Sequence, residues 1–153
     1  MHPVPENARE VVALAMRVVL GAWFALSGGG KIFVSGLERF SRDVANYRML
    51  VDPWNSVVAH TLPWVEIIGG IALMLGIFRK ATLQMMTWLV TLFAIAVSFA
   101  WARNLDISCG CFGTDAKLDY RFKALELAGY FIAFAYLWVV EIGRNPTQNT
   151  KVS

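Results

Sequence analysis

The stretch Arg79-Lys80-Ala81-Thr82-Leu83-Gln84-Met85-Met86-Thr87-Trp88-Leu89-Val90-Thr91-Leu92-Phe93-Ala94-Ile95-Ala96-Val97-Ser98-Phe99-Ala100-Trp101 decides the fold. From Ala81 to Trp101 no charge interrupts it. As a helix rising about 1.5 Å per residue, it is long enough to cross a hydrocarbon core of about 30 Å. Three further apolar segments flank it, at about Val11 to Phe33, Asn55 to Phe78 and Arg121 to Ile142. Together they predict an all-α membrane protein, a four-transmembrane-helix antiparallel bundle forming a single integral membrane domain. Arg79 and Lys80 then serve as a very short basic hairpin between the second and third spans.

The remaining stretches read as connectors. From Ser35 to Asp52, Leu37, Phe40, Val44, Tyr47 and Leu50 recur at helical spacing with Glu38, Arg39, Arg42, Asp43 and Arg48 between them. That pattern predicts an amphipathic interfacial helix between transmembrane helices 1 and 2, capping one end of the bundle. Residues 103–120 form a polar connector, Met1 to Glu10 a short disordered tail, and Gly143 to Ser153 a polar tail. Trp54 and Trp64 suit the membrane interface near the start of segment two, and Pro63 is expected to bend that segment. Gly21, Ala25, Gly28 and Gly29 give segment one a small-residue face for close packing, and Gly69, Gly70 and Gly76 do the same for segment two.

Composition agrees. Of 153 residues, 57% are hydrophobic and 16% charged, against about a quarter charged in soluble domains. The net charge of +3 comes without a basic run or an aromatic-interleaved basic patch, which excludes a nucleic-acid partner. Arg17 interrupts segment one, and neither a basic leader nor a small-residue cleavage site is evident, so this segment reads as a retained span.

The two cysteines stand together in the polar connector, in Cys109-Gly110-Cys111-Phe112-Gly113. A disulfide needs Cα atoms about 4.4–6.8 Å apart, and residues two apart in an extended chain lie at or beyond that upper edge. A tight turn is required, which Gly110 permits. So small a ring predicts an oxidising, easily reduced disulfide, suited to transfer rather than stapling. The same thiolates suit a soft ion such as Cu(I), and a third reading makes them inert packing residues. Zinc is disfavoured because His2 and His60 lack zinc-site spacing, and covalent haem because C-x-x-C-H is absent.

Arg17, Glu66, Glu126 and Glu141 fall within or near apolar segments, where a charge is costly unless paired. Glu66 lies about a dozen residues into segment two, a depth approaching mid-membrane. A cation on segment one, Arg17 or Lys31, is its expected partner. The pair is then either a structural clip or a protonatable group serving a quinone or a proton path. Lys123, Glu126 and Tyr130 share one face of segment four at i, i+3 and i+7, close below the cysteine connector, with His60 at similar depth. The candidate reactive pair is therefore Cys109 and Cys111. Glu66, Lys123, Glu126 and Tyr130 are candidates to line a quinone site or proton path. Arg17, Lys31, Gly110, Phe112 and Gly113 are assigned structural roles.

A labile disulfide persists outside the cytosol, which favours cytoplasmic termini and an outward cysteine connector. Arg39, Arg42 and Arg48, with Arg103, Lys117, Arg121 and Lys123, count against that orientation by the positive-inside rule. Reduction of a labile disulfide in the cytosol outweighs that count, and the cysteine connector is expected to face outward.

Three stretches resemble a known family. Leu62-Pro63-Trp64-Val65-Glu66-Ile67-Ile68-Gly69-Gly70, with Leu75-Gly76-Ile77-Phe78 closing the run, resembles the second helix of the DoxX/MauE superfamily. Ser27-Gly28-Gly29-Gly30-Lys31-Ile32 is similar to the small-residue stretch and lysine of its first helix. Cys109-Gly110-Cys111-Phe112-Gly113 resembles the C-x-C-F-G signature of the MauE (methylamine utilisation) branch. The resemblance spans about Arg17 to Val140. It implies a four-helix protein of the bacterial inner membrane whose cysteine loop faces the periplasm. It further implies a periplasmic thioredoxin-like partner and a part in maturing the disulfide-rich small subunit of methylamine dehydrogenase. Other relatives are subunits of a thiosulfate:quinone oxidoreductase, which adds a membrane oxidoreductase complex as a possible setting. Disulfide-generating four-helix bundles carry a C-x-x-C pair and a second loop pair, whereas this chain has one C-x-C. With one pair, exchange would run directly between a soluble partner and a membrane acceptor.

Overall fold

The structure, a computed structural model, describes residues 6–105 and 119–143. Among these, α1 (Glu6–Gly29) runs into a π-helical turn (Gly30–Val34), followed by α2 (Leu37–Asn46), α3 (Trp54–Leu75), α4 (Arg79–Ala102) and α5 (Tyr120–Ile142), with no strand. Four helices are long and apolar enough to cross a membrane: α1 with its π turn, α3, α4 and α5. They form a helical membrane bundle.

Cross-helix contacts fix the directions. Arg17 of α1 meets Glu141 of α5, while Phe24 further along α1 meets Phe134 and Tyr130. Likewise Gly21 packs at Gly70 and Gly28 at Pro63 of α3. Neighbouring spans are therefore antiparallel. The start of α1, the α3–α4 hairpin and the end of α5 share one end of the bundle. The π turn, α2, the end of α4 and the start of α5 share the other. The spans are clad in exposed apolar side chains, among them Leu26, Ile68, Leu92 and Ile132, as lipid contact requires.

Glycines set the α1–α3 spacing. A Cβ on Gly70 would stand 2.5 Å from the Gly21 carbonyl oxygen and 2.8 Å from the Ala25 nitrogen. One on Gly28 would stand 2.6 Å from the Pro63 carbonyl oxygen. Only small residues let two backbones approach so closely. Gly29 borders open space and plays no such part, and Gly69 instead faces Met85 and Met86 of α4. In the hairpin half of the bundle Leu73, Leu83, Met86 and Leu137 form the buried core.

The boundaries differ from the sequence reading in four places. α1 begins at Glu6, so residues 6–10 are helical rather than part of a disordered tail. The second span ends at Leu75, where Gly76 adopts a left-handed φ of 69° and caps α3. Arg79 and Lys80 are accordingly the first residues of α4, and the hairpin itself is Gly76 to Phe78. The interfacial helix is shorter than 35–52, because Arg48 at φ 51° cannot continue a right-handed helix. Pro63 lies inside α3, and no boundary falls there.

Candidate functional site

Toward α2 the bundle is hollow. A cavity of about 340 Å³ is enclosed by side chains from all five helices and the π turn, a volume at the small end of ligand sites (~300–1,000 Å³). Its bonded polar groups come from the π turn, α3 and α5. On the π turn, Lys31 donates through Nζ to both carboxylate oxygens of Glu66, at 2.5 and 2.6 Å. Lys31 is 2% exposed and Glu66 6%. On α5, Lys123 Nζ donates to Glu126 Oε2 at 2.9 Å, and the Tyr130 hydroxyl donates to Glu126 Oε1 at 2.6 Å. Rings close around these charges. Lys31 lies 5.3 Å from the Phe40 ring centre, Lys123 lies 5.2 Å from that of Phe93, and Phe24 packs on Tyr130.

Local structure explains the placement. The π turn is closed by the Ser35 N–H donating to the Gly30 carbonyl at 3.0 Å. It carries Lys31 inward while Phe33 and Val34 face out. Such wide turns are frequent at functional sites. α5 starts on Asp119, whose carboxylate accepts from the Arg121 N–H at 3.0 Å and caps the turn leading to Lys123. The apolar face of α2 closes the end through Phe40, Val44 and Tyr47.

The structure thus brings Glu66, Lys123, Glu126 and Tyr130 to one cavity, with Lys31 beside them. Between the two cations considered for Glu66, it selects Lys31. Arg17 instead pairs with Glu141 at 2.7 Å, a buried clip between α1 and α5 outside the cavity lining. His60 also lies outside it, exposed and bonded through Nδ1 to the Ser56 carbonyl oxygen at 2.7 Å. Ser27, Phe40 and Asp43 also line the cavity. Sequence reading missed them, although the helical spacing of the α2 apolar face was the signal for Phe40. Cys109, Gly110, Cys111, Phe112 and Gly113 lie outside the described residues. Flanking that segment, the Tyr120 hydroxyl donates to the Leu105 carbonyl and Trp101 stacks on Tyr120 at 6.1 Å. The two flanks are thereby tied together at the cavity end. No cluster of three or more His, Cys, Asp or Glu side chains able to hold a metal occurs among the described residues.

The family described as methylamine utilisation protein MauE matches residues 9–141. This chain belongs to the MauE family. It is 28% identical over 108 residues to the methylamine utilization protein MauE of Methylorubrum extorquens, covering 69% of this chain and 58% of that protein. Against the MauE of Paracoccus versutus it is 31% identical over 104 residues, covering 67% and 55%. The chain thus matches a little over half the length of these MauE relatives. No solved structure matches it. The span shared with the family, residues 9–141, takes in the π turn, α2 and every charged residue of the cavity.

Proposed function

We propose that this chain is an inner-membrane thiol-disulfide protein of methylamine utilisation, working in maturation. Cys109 and Cys111 pass a disulfide to a periplasmic thioredoxin-like partner. The thiolate of the partner attacks the Cys109–Cys111 bond, a mixed disulfide forms, and the second thiol of the partner resolves it. The partner leaves oxidised and the two cysteines leave reduced. Regenerating the disulfide removes two electrons and two protons, and a quinone bound in the cavity would take up both. The wider resemblance to DoxX-type proteins, some of which serve quinone oxidoreductases, agrees with that choice of acceptor.

The observation that carries this reading is the cavity at the end of the bundle from which the cysteine segment departs. Lys123 stands one turn into α5 beyond Asp119, so the nearest buried ammonium follows the segment closely in sequence. The cavity also fits the group chemically. Two ammoniums, Lys31 and Lys123, face three carboxylates, Glu66, Glu126 and Asp43, which leaves no surplus cation for an anionic ligand. A neutral ring whose oxygens accept hydrogen bonds suits it. Of the three donors on the Lys31 ammonium, Glu66 takes two, leaving one N–H for such an oxygen. Tyr130 and Glu126 form a hydrogen-bonded pair able to hold or release a proton beside it.

The deciding experiment is thiol labelling of Cys109 and Cys111 in intact membranes against a graded thiol buffer, with an impermeant reagent added from the periplasmic side. A reversible two-electron transition labelled from that side is expected. Thiols that stay reduced and shielded throughout refute the reading.

A further inference from the structure

We propose that the cavity is loaded sideways from the bilayer, through a gap between α3 and α4, and that its ligand is a lipid-tailed quinone whose tail lies in that gap. This rests on the quinone reading above and adds the route, the tail and the residues that hold it.

The gap follows from the helix register. Near the hairpin α3 and α4 are in close contact, Gly69 lying directly against Met85 and Met86. Continuing the antiparallel register toward α2 brings Leu62 level with Leu92 and Val58 level with Ala96. At those levels all four side chains line the cavity instead of filling the interface. The cavity therefore extends between the two helices on the α2 side of Gly69. Its wall reaches the outside most at Leu92 of α4, 60% exposed, against 43% for Trp23 of α1 and 40% for Met49 in the turn after α2, whereas Lys31 in the same cavity is 2% exposed. Leu50, from the turn after α2, is 40% exposed at the same cavity.

Chemistry then selects the occupant. The mouth lies on a transmembrane face and its four α3–α4 side chains, Val58, Leu62, Leu92 and Ala96, are purely apolar. A molecule reaching it comes from the hydrocarbon phase. The charges most buried in the lining, Lys31, Glu66 and Lys123, come from the π turn, mid-α3 and α5, so a bound molecule must be amphipathic with its polar head toward them. That order, head first into the protein and tail toward lipid, excludes a phospholipid, whose charged headgroup stays at the water interface and would find no surplus cation inside. A neutral quinone ring on an isoprenoid tail has the required order.

The test uses the whole chain in lipid nanodiscs with two probes: a dimethoxy-methyl-benzoquinone without a tail, and the same ring carrying a decyl tail with a photoactivatable diazirine at mid-chain. Photolysis in the wild-type protein, mapped by peptide mass spectrometry, is expected to label α3 around Val58 and Leu62 and α4 around Leu92 and Ala96. Labelling confined to α1, α5 or the outer face of α2 overturns the proposal. In parallel, Leu92→Trp fills the mouth from a lipid-exposed position. It is expected to weaken equilibrium binding of the tailed probe about tenfold, roughly 1.4 kcal/mol, and to leave the tail-less ring within about twofold. Equal effects on both probes, or none on either, overturn the tail's placement while the quinone reading stands. If neither probe binds the wild-type protein, the quinone reading falls as well.

Discussion

Replacing Glu66 by alanine leaves the Lys31 ammonium, 2% exposed, without the carboxylate whose two oxygens accept its hydrogen bonds at 2.5 and 2.6 Å. Removing one partner from a buried pair typically costs about 3–5 kcal/mol, because the survivor keeps its desolvation penalty without its attraction. The pair borders a cavity rather than packed side chains, so water can partly solvate the orphaned ammonium. The lower end, about 3 kcal/mol, is therefore expected. Replacing both residues by methionine removes the penalty with the attraction and is expected to change stability by less than about 1 kcal/mol. Unfolding free energies of the wild type, Lys31→Met, Glu66→Met and the Lys31→Met/Glu66→Met double variant, from SDS titration in mixed micelles, give a double-mutant cycle, with Glu66→Ala measured beside them. The reasoning predicts strong coupling, with the double variant more stable than Glu66→Ala. A Glu66→Ala loss under about 1 kcal/mol, or a double variant that loses the sum of the two singles, refutes it.

Four further outcomes follow from the same geometry. Gly70→Ala puts a Cβ against backbone atoms of Gly21 and Ala25, which cannot yield as a side chain does, and is expected to lower stability by at least ~1–3 kcal/mol. Gly29→Ala, bordering open space, is expected to be neutral or slightly stabilising in the same titration. Asp119→Ala removes the cap of α5 and should cost about 1 kcal/mol, with faster amide exchange confined to the turn leading to Lys123, whereas Asp119→Asn should retain both. Tyr130→Phe deletes the donor to Glu126 and should cost about 1–2 kcal/mol of unfolding free energy; a change within error would show that the contact contributes nothing.

The spans were legible because an apolar run long enough to cross a bilayer is a local property of sequence. The face formed by Lys123, Glu126 and Tyr130 was legible for a similar reason, since residues at i, i+3 and i+7 of one helix need no knowledge of its neighbours. Choosing between Arg17 and Lys31 for Glu66 was not possible locally. That choice depends on how far α1 slides along α3, which the Gly21–Gly70 and Gly28–Pro63 approaches determine. It also depends on the π turn, for which Gly30 to Val34 carries no distinctive sequence signal. The short hairpin was misplaced by three residues because basic residues read as a loop, whereas the turn is made by the left-handed backbone at Gly76 and Phe78.

The two kinds of buried charge pair in this bundle separate structure from function. Arg17–Glu141 and Lys31–Glu66 are alike in chemistry and burial, and neither is expected to add much net stability over an apolar replacement. Arg17–Glu141 lies outside this cavity and joins α1 to α5 toward the hairpin end, where its consequence is register. Lys31–Glu66 comes with a second charged group, Lys123–Glu126–Tyr130, across a space that side chains leave unfilled. A bundle selected only for stability would close that space, since α1, α3 and α4 already approach as closely as their glycines allow at other levels. Two sets of costly charges face one another over a hollow roofed by the apolar face of α2, an arrangement that the proposed ligand accounts for and bundle stability does not.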